Sequence, residues 1–165
     1  MHTPQSVGHP RFITLWLYLK VVSSRHNGNE GCATRQETSR LSPDFPRISK
    51  VDKILDSGEL WPSLPGVSDA YYGAGQYLTD ISPSDASTRT KGQLSYALYS
   101  VPFKWLGSDV GYLEFSLPQN SVRRVAPVYG PSFPGKSIYL HSSLLGLAIS
   151  GNLSGSGLVS FLPGQ

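Results

Sequence analysis

Gly73, Gly75, Tyr77 and Asp80 lie close together in Tyr71-Tyr72-Gly73-Ala74-Gly75-Gln76-Tyr77-Leu78-Thr79-Asp80-Ile81. Two glycines can take the backbone round a tight turn. The aromatic, aliphatic and β-branched run after them predicts a strand, stopped by Pro83. In a strand, Tyr77 and Thr79 share one face, and Leu78 and Asp80 the other. The block therefore sets an aromatic face beside a glycine turn. Asp80 falls off that face, where closing the turn ahead of Pro83 is its expected role. The plain alternative for Tyr77 is a core tyrosine.

Other chemistries find less support. The four histidines, at 2, 9, 26 and 141, have no metal-ligand spacing, so no metal is expected. Cys32 is the single cysteine, which excludes a disulfide framework and a cysteine zinc site. His26 precedes it by six residues in a polar stretch with nothing rigid to hold a Cys–His pair. The glycine-rich run Gly151 to Gly157 lacks the lysine of a phosphate-binding loop and reads as a hairpin or loose loop. Ser142-Ser143 lacks the setting of a nucleophile elbow.

The positioning elements read as follows. Phe12 to Val22 forms a buried strand; its interruption by Lys20 argues against a signal peptide. Residues 23–47 are polar, without apolar periodicity. Ser49-Lys50-Val51-Asp52 fits a capping box, and Val51, Ile54 and Leu55 share a helical face, so residues 50–57 form a short helix ending at Gly58. A second short helix is expected over 92–100. Strands are expected over 111–117, 121–129, 137–141, 144–149 and 158–162. Two units follow: a poorly defined N-terminal strand and polar loop over 1–47, and a domain over 48–165.

Length and composition agree with that picture. A chain of 165 residues is one domain's worth. Its 17 Gly, 13 Pro and 25 Ser make up a third of it, which excludes a fold of long helices. Short strands joined by turns give an α+β class. No run of 18 apolar residues occurs, so no membrane span is expected. The formal charge is +3, basic at both ends and acidic in the middle. No basic run interleaved with aromatics supports a nucleic-acid partner. The sequence leaves the oligomeric state open and favours a cytoplasmic over a secreted location only slightly.

Residues 73–83, GAGQYLTDISP, resemble the ADP-ribosyltransferases, most closely the toxin-type branch with the His-Tyr-Asp signature, whose pattern runs roughly G-x-G-x-Y-L-T-D-[IL]-x-P. Poly-ADP-ribose polymerases carry a related G-x-G-x-Y-F-A-D block. Upstream, Ile54 to Ser63 is similar to the helix and SG…PS segment before that block; downstream, GYLEFSLP fits the following strand. The resemblance implies short-stranded, split β-sheets around a cleft for NAD, used as substrate, with ADP-ribose passed to a protein, a nucleic acid or water. It implies that Tyr77 stacks on the nicotinamide, where an aromatic face suits a flat, polarised ring. Gly73 and Gly75 would shape the cleft wall beside Tyr72 and Thr79, with Tyr71 and Tyr96 as further wall aromatics.

The chain also departs from the family's pattern. The relatives hold the ribose and nicotinamide with a first-strand histidine, often in His-Tyr-Thr. Counting back from Ile54 reaches Asp44-Phe45-Pro46 instead, where Pro46 restricts Phe45 and removes a strand donor. His26 could serve only if residues 27–47 were an insertion. Relatives with a late glutamate use it to stabilise the positive charge that develops on the ribose. Here Glu114 is the last acid, so it is the candidate; its plain alternative is an exposed strand residue. His141 is a polar substitute in the late region. The expected catalytic set is thus Tyr77, His26 and Glu114. The alternatives are a catalytically inactive relative that binds a protein, or an incomplete fragment.

Overall fold

The computed structural model describes residues 11–21, 50–66, 70–142, 147–149 and 151–163. Its elements are β1 (Phe12–Val21), α1 (Lys50–Ser57), β2 (Glu59–Leu60), β3 (Gln76–Thr79), α2 (Pro83–Ser87), α3 (Lys91–Tyr99), β4 (Asp109–Pro118), β5 (Val122–Pro127), β6 (Ser137–His141), β7 (Leu147–Ala148) and β8 (Leu153–Leu158). Six strands form one antiparallel sheet in the order β5-β6-β3-β1-β4-β8, and β2 pairs with β7 in a second, two-stranded sheet. The class is α+β.

Strand β1 lies in the middle of the large sheet, which explains its composition. A central strand is covered on both faces, so both of its alternating sets must be apolar. Ile13, Leu15, Leu17 and Leu19 join one core with Leu78, Leu113, Phe115 and Leu117; helix α1 caps it with Val51 and Ile54. Trp16 and Tyr18 join the other core with Tyr77, Val110, Tyr112 and Ile138, under Ala86 of α2 and Leu94 and Ala97 of α3. All ten residues of β1 pair with β4. The expected division at residue 47 therefore does not divide the sheet: β1, one of its two central strands, precedes that point.

Helix α1 ends as its sequence predicts, with Gly58 at φ 71 and its N–H bonded to the carbonyl of Ile54 (3.1 Å). The expected cap Ser49 lies outside the described residues. Helix α3 matches the second expected helix and starts on a capping box, Thr90 with Gln93. Helix α2 was not foreseen. Pro83 stops β3 and also opens a helix, because Ser82 caps it and Asp85 bonds back to the Ser82 N–H.

The C-terminal expectations need correction. The glycine-rich run is neither a hairpin nor a loose loop; most of it is β8, an edge strand of the large sheet. Pairing along the open side of β4 overrides the weak strand propensity of Ser and Gly. Gly157 faces Tyr112, and a Cβ there would come 3.0 Å from that ring. The strand expected over 158–162 is thus shifted to 153–158. Of the expected 144–149 strand, Leu147–Ala148 is seen, and 143–146 lie outside the described residues.

Candidate active-site cleft

Strands β1 and β3 are neighbours, yet their register holds a single pair, Trp16 opposite Thr79. Beyond that pair the strands part. A cavity of about 710 Å³ opens there, within the roughly 300–1,000 Å³ of small-molecule clefts. Residues of both cores line it: Trp16 and Tyr18 with Leu17 and Leu19 from β1, and Tyr77 and Thr79 with Leu78 from β3.

The β3 wall is built by its own turn. The Tyr77 hydroxyl donates to the carbonyl of Gly73 (2.7 Å) and accepts from the N–H of Tyr72 (2.8 Å). Both bonds hold the ring in the wall. The Tyr72 ring lies 6.3 Å from that of Tyr77, tilted by 45°, and its hydroxyl is 3.3 Å from that of Tyr129. The hydrogen bond with Tyr129 pushes the Tyr72 phenol up from its usual value. Thr79 lines the cleft, but its hydroxyl is engaged, donating to Ser137 O (2.9 Å) and accepting from Ile81 N (3.2 Å).

Gly73 and Gly75 do not line the cavity; they bring the turn against β6. Gly75 has φ 148, and a Cβ there would sit 2.4 Å from the carbonyl oxygen of His141 and 2.7 Å from Leu140 Cδ1. Gly73 has φ 110, with Leu140 as its nearest neighbour at 3.9 Å. Gly75 also makes a two-bond bridge to Ser63, which ties the segment after β2 to the turn. Glycine is needed here for backbone shape and close approach.

The remaining candidates are dispersed. His26 lies outside the described residues, as do Asp44, Phe45 and Pro46. Asp80 accepts from the Ser137 N–H (2.7 Å), so it ties β3 to β6. Glu114 stands on β4 beside the cleft without lining it; Trp16 Nε1 donates to Oε2 (2.9 Å) and Ser154 Oγ to Oε1 (2.8 Å). His141 is also outside the cleft, with Nδ1 3.0 Å from Gln76 Oε1; burial lowers its pKa. Tyr71 lines the mouth; Tyr96 does not, packing against Gly130 instead.

Several wall residues carried no recognisable signal in the sequence. Trp61, Tyr99, Phe103, Lys104 and Trp105 also line the cleft. Trp105 packs edge-on to Tyr99 at 5.4 Å, and the Lys104 ammonium sits 3.6 Å above the Tyr99 ring. A short Pro-Phe-Lys-Trp-Leu segment after a helix has no period that marks it as a wall.

The chemistry of the lining is lopsided. Aromatic rings dominate, Lys104 is the single charged group, and no Asp, Glu or His is among the lining residues described. Of β1, the strand that reaches the cleft, FITLWLYLKV contains no histidine. Such a lining suits a flat, electron-poor ring. It offers no carboxylate to a developing cation. No group of three or more His, Cys, Asp or Glu able to hold a metal occurs among the described residues. None of their helices is long and apolar enough to cross a membrane.

The α+β domain thus carries an aromatic cleft in a parted antiparallel sheet, with a glycine–tyrosine turn on one wall. The profile of a family described as HYD1 signature containing ADP-ribosyltransferase matches residues 45–133, more than half of the chain. The chain belongs to this ADP-ribosyltransferase toxin family. The match takes in α1 through β5 and leaves β1 outside it. No curated protein and no solved structure matches the chain.

Proposed function

We propose that the cleft between β1 and β3 binds NAD as a substrate, with the nicotinamide ring against Tyr77. The observation that carries this reading is the Tyr77 ring, held by two hydrogen bonds in the wall of a cleft of suitable size, inside the stretch that matches an ADP-ribosyltransferase family. The cationic pyridinium suits a lining rich in aromatic faces. Transfer of ADP-ribose would break the glycosidic bond to nicotinamide and form a bond to a protein acceptor or water.

The test is a calorimetric titration with NAD. Tyr77→Ala should weaken binding about 5- to 150-fold, because an aromatic stacking contact is worth about 1–3 kcal/mol. Tyr77→Phe keeps the ring and should stay within a few-fold of wild type. A folded Tyr77→Ala protein that binds NAD as tightly as wild type rules the reading out.

A second reading has its own support: a family member that binds without turning over. The described lining holds no carboxylate, and Glu114, one strand from it, has both oxygens engaged. Release of nicotinamide from NAD decides between the two. Binding without release supports a binder; release abolished by Tyr77→Ala supports an enzyme whose acid lies outside the described lining.

A further inference from the structure

A row of paired residues crosses the middle of the large sheet. Thr79 on β3 lies opposite Trp16 on β1, Trp16 opposite Glu114 on β4, and Glu114 opposite Gly155 on β8. Directly opposed residues project to the same face of a sheet. Thr79 and Trp16 reach the cleft; Glu114 stands one strand further out. Its carboxylate accepts from the Trp16 indole on one oxygen and from the Ser154 hydroxyl on the other. Gly155 packs directly against it: a Cβ there would lie 3.8 Å from Oε1, an ordinary contact.

An indole has two broad settings about its second side-chain torsion. A charge-assisted bond to its N–H selects one. The Ser154 bond in turn holds the carboxylate. We infer that Glu114 is a positioning residue, which sets the orientation of the Trp16 indole in the cleft wall and thereby the affinity of the cleft for a flat ring. The effect on affinity rests on the NAD reading above; the effect on the indole does not. In this role Glu114 does its work from outside the cleft and touches no reacting atom.

The experiment labels the full chain with 5-fluorotryptophan. Three tryptophans, Trp16, Trp61 and Trp105, give three fluorine signals, and Trp16→Phe assigns the first. In Glu114→Leu the Trp16 signal should move and broaden while the other two stay in place. NAD affinity should fall about tenfold, the loss expected when a charge-assisted bond that orders a contact is removed. Glu114→Gln keeps an acceptor for the indole and a donor for Ser154. It should restore a sharp Trp16 signal and an affinity within about threefold of wild type. Glu114→Asp, too short to span both partners, carries the same expectation as Glu114→Leu and replaces it if the leucine variant does not fold.

An unmoved Trp16 signal in the disruptive variant overturns the inference, as does a moved signal with unchanged NAD affinity. If the wild-type protein takes up no NAD, the NAD reading fails. The fluorine signals then decide Glu114 alone: a displaced Trp16 signal upholds the positioning role and a static one removes it.

Discussion

On one side of the cleft, Tyr77 is tied to Gly73 and Tyr72, four and five residues away; on the other, Trp16 is tied to Glu114, 98 residues away. The β3 wall is a local structure, closed by a glycine turn and its own tyrosine hydroxyl. The β1 wall exists only once β4 and β8 have docked beside it. The family match follows the same line, covering β3 and stopping short of β1. The wall whose conformation is written within eleven residues is the one that lies inside the family match. The wall assembled from distant strands is all apolar or aromatic where it meets the cleft.

The largest test of this contrast breaks the local wall at its tightest point. Gly75→Ala must fit a Cβ 2.4 Å from a backbone oxygen at φ 148. Backbone cannot step aside as a long side chain can, so the β3–β6 pairing must yield. The expected loss is about 3 kcal/mol or more, from backbone strain and overpacking together. Urea denaturation should show it as a large fall in midpoint, or the variant should fail to fold. A midpoint within error of wild type would mean that the turn is not pressed against β6.

A pair of tyrosine substitutions then compares the walls directly. Tyr18 on β1 donates to the carbonyl of Ile81 (2.9 Å), and both residues are buried; that burial also drives the phenol's pKa far above its usual value. Tyr18→Phe leaves the carbonyl without its phenol donor where water cannot replace it, at about 1–3 kcal/mol. Tyr77→Phe removes two bonds, but its turn is half-buried and water can reach the freed groups, so about 1 kcal/mol is expected. Thermal melts of the two variants should rank Tyr18→Phe as the more damaging. The reverse order would show that the turn is the less accessible of the two sites.

The same division explains what the sequence made legible. The turn, β3, α1 and α3 rest on short-range signals: glycines at set spacing, a capping residue, an apolar stripe at helical period. Each was readable. Strand β6 was bounded correctly as well, because turn residues flank it on both sides. The place of β1 at the centre of the sheet was not readable, since alternation in FITLWLYLKV states that both faces are covered but not by what. Nor was β8, where Ser and Gly form a strand only because β4 offers an unpaired edge. Among candidate site residues, Tyr72, Tyr77 and Thr79 came together in one wall. Glu114 stands just outside the cleft, and its indole partner could not be inferred without the register of β1 on β4.

The smallest effect concerns pH, and it bears on the support behind the β3 wall. His141 on β6 faces Gln76 on β3, and Gln76 donates to the carbonyl of Leu60, which links the cleft wall to the small sheet. Burial lowers the His141 pKa from its ordinary 6.5. The folded protein therefore resists a proton that the unfolded chain accepts. The stability this contributes is present above about pH 6.5 and is lost as pH falls through the folded value. Asp85 acts in the same sense at lower pH. Its hydrogen bond with Lys136 (2.7 Å) outweighs burial and holds the carboxyl below its ordinary 3.8, so its contribution disappears as pH falls below the carboxylate range. Both groups are partly exposed, and solvent screening keeps each effect small. Urea midpoints at about pH 7.5 and about pH 5.5, either side of the ordinary histidine value, isolate the first step. The wild-type midpoint should fall slightly between them, and His141→Gln, which keeps a donor for Gln76, should flatten that fall without touching the acid step set by Asp85. An unchanged pH dependence in His141→Gln would show that burial of the imidazole is not what couples β6 to acid.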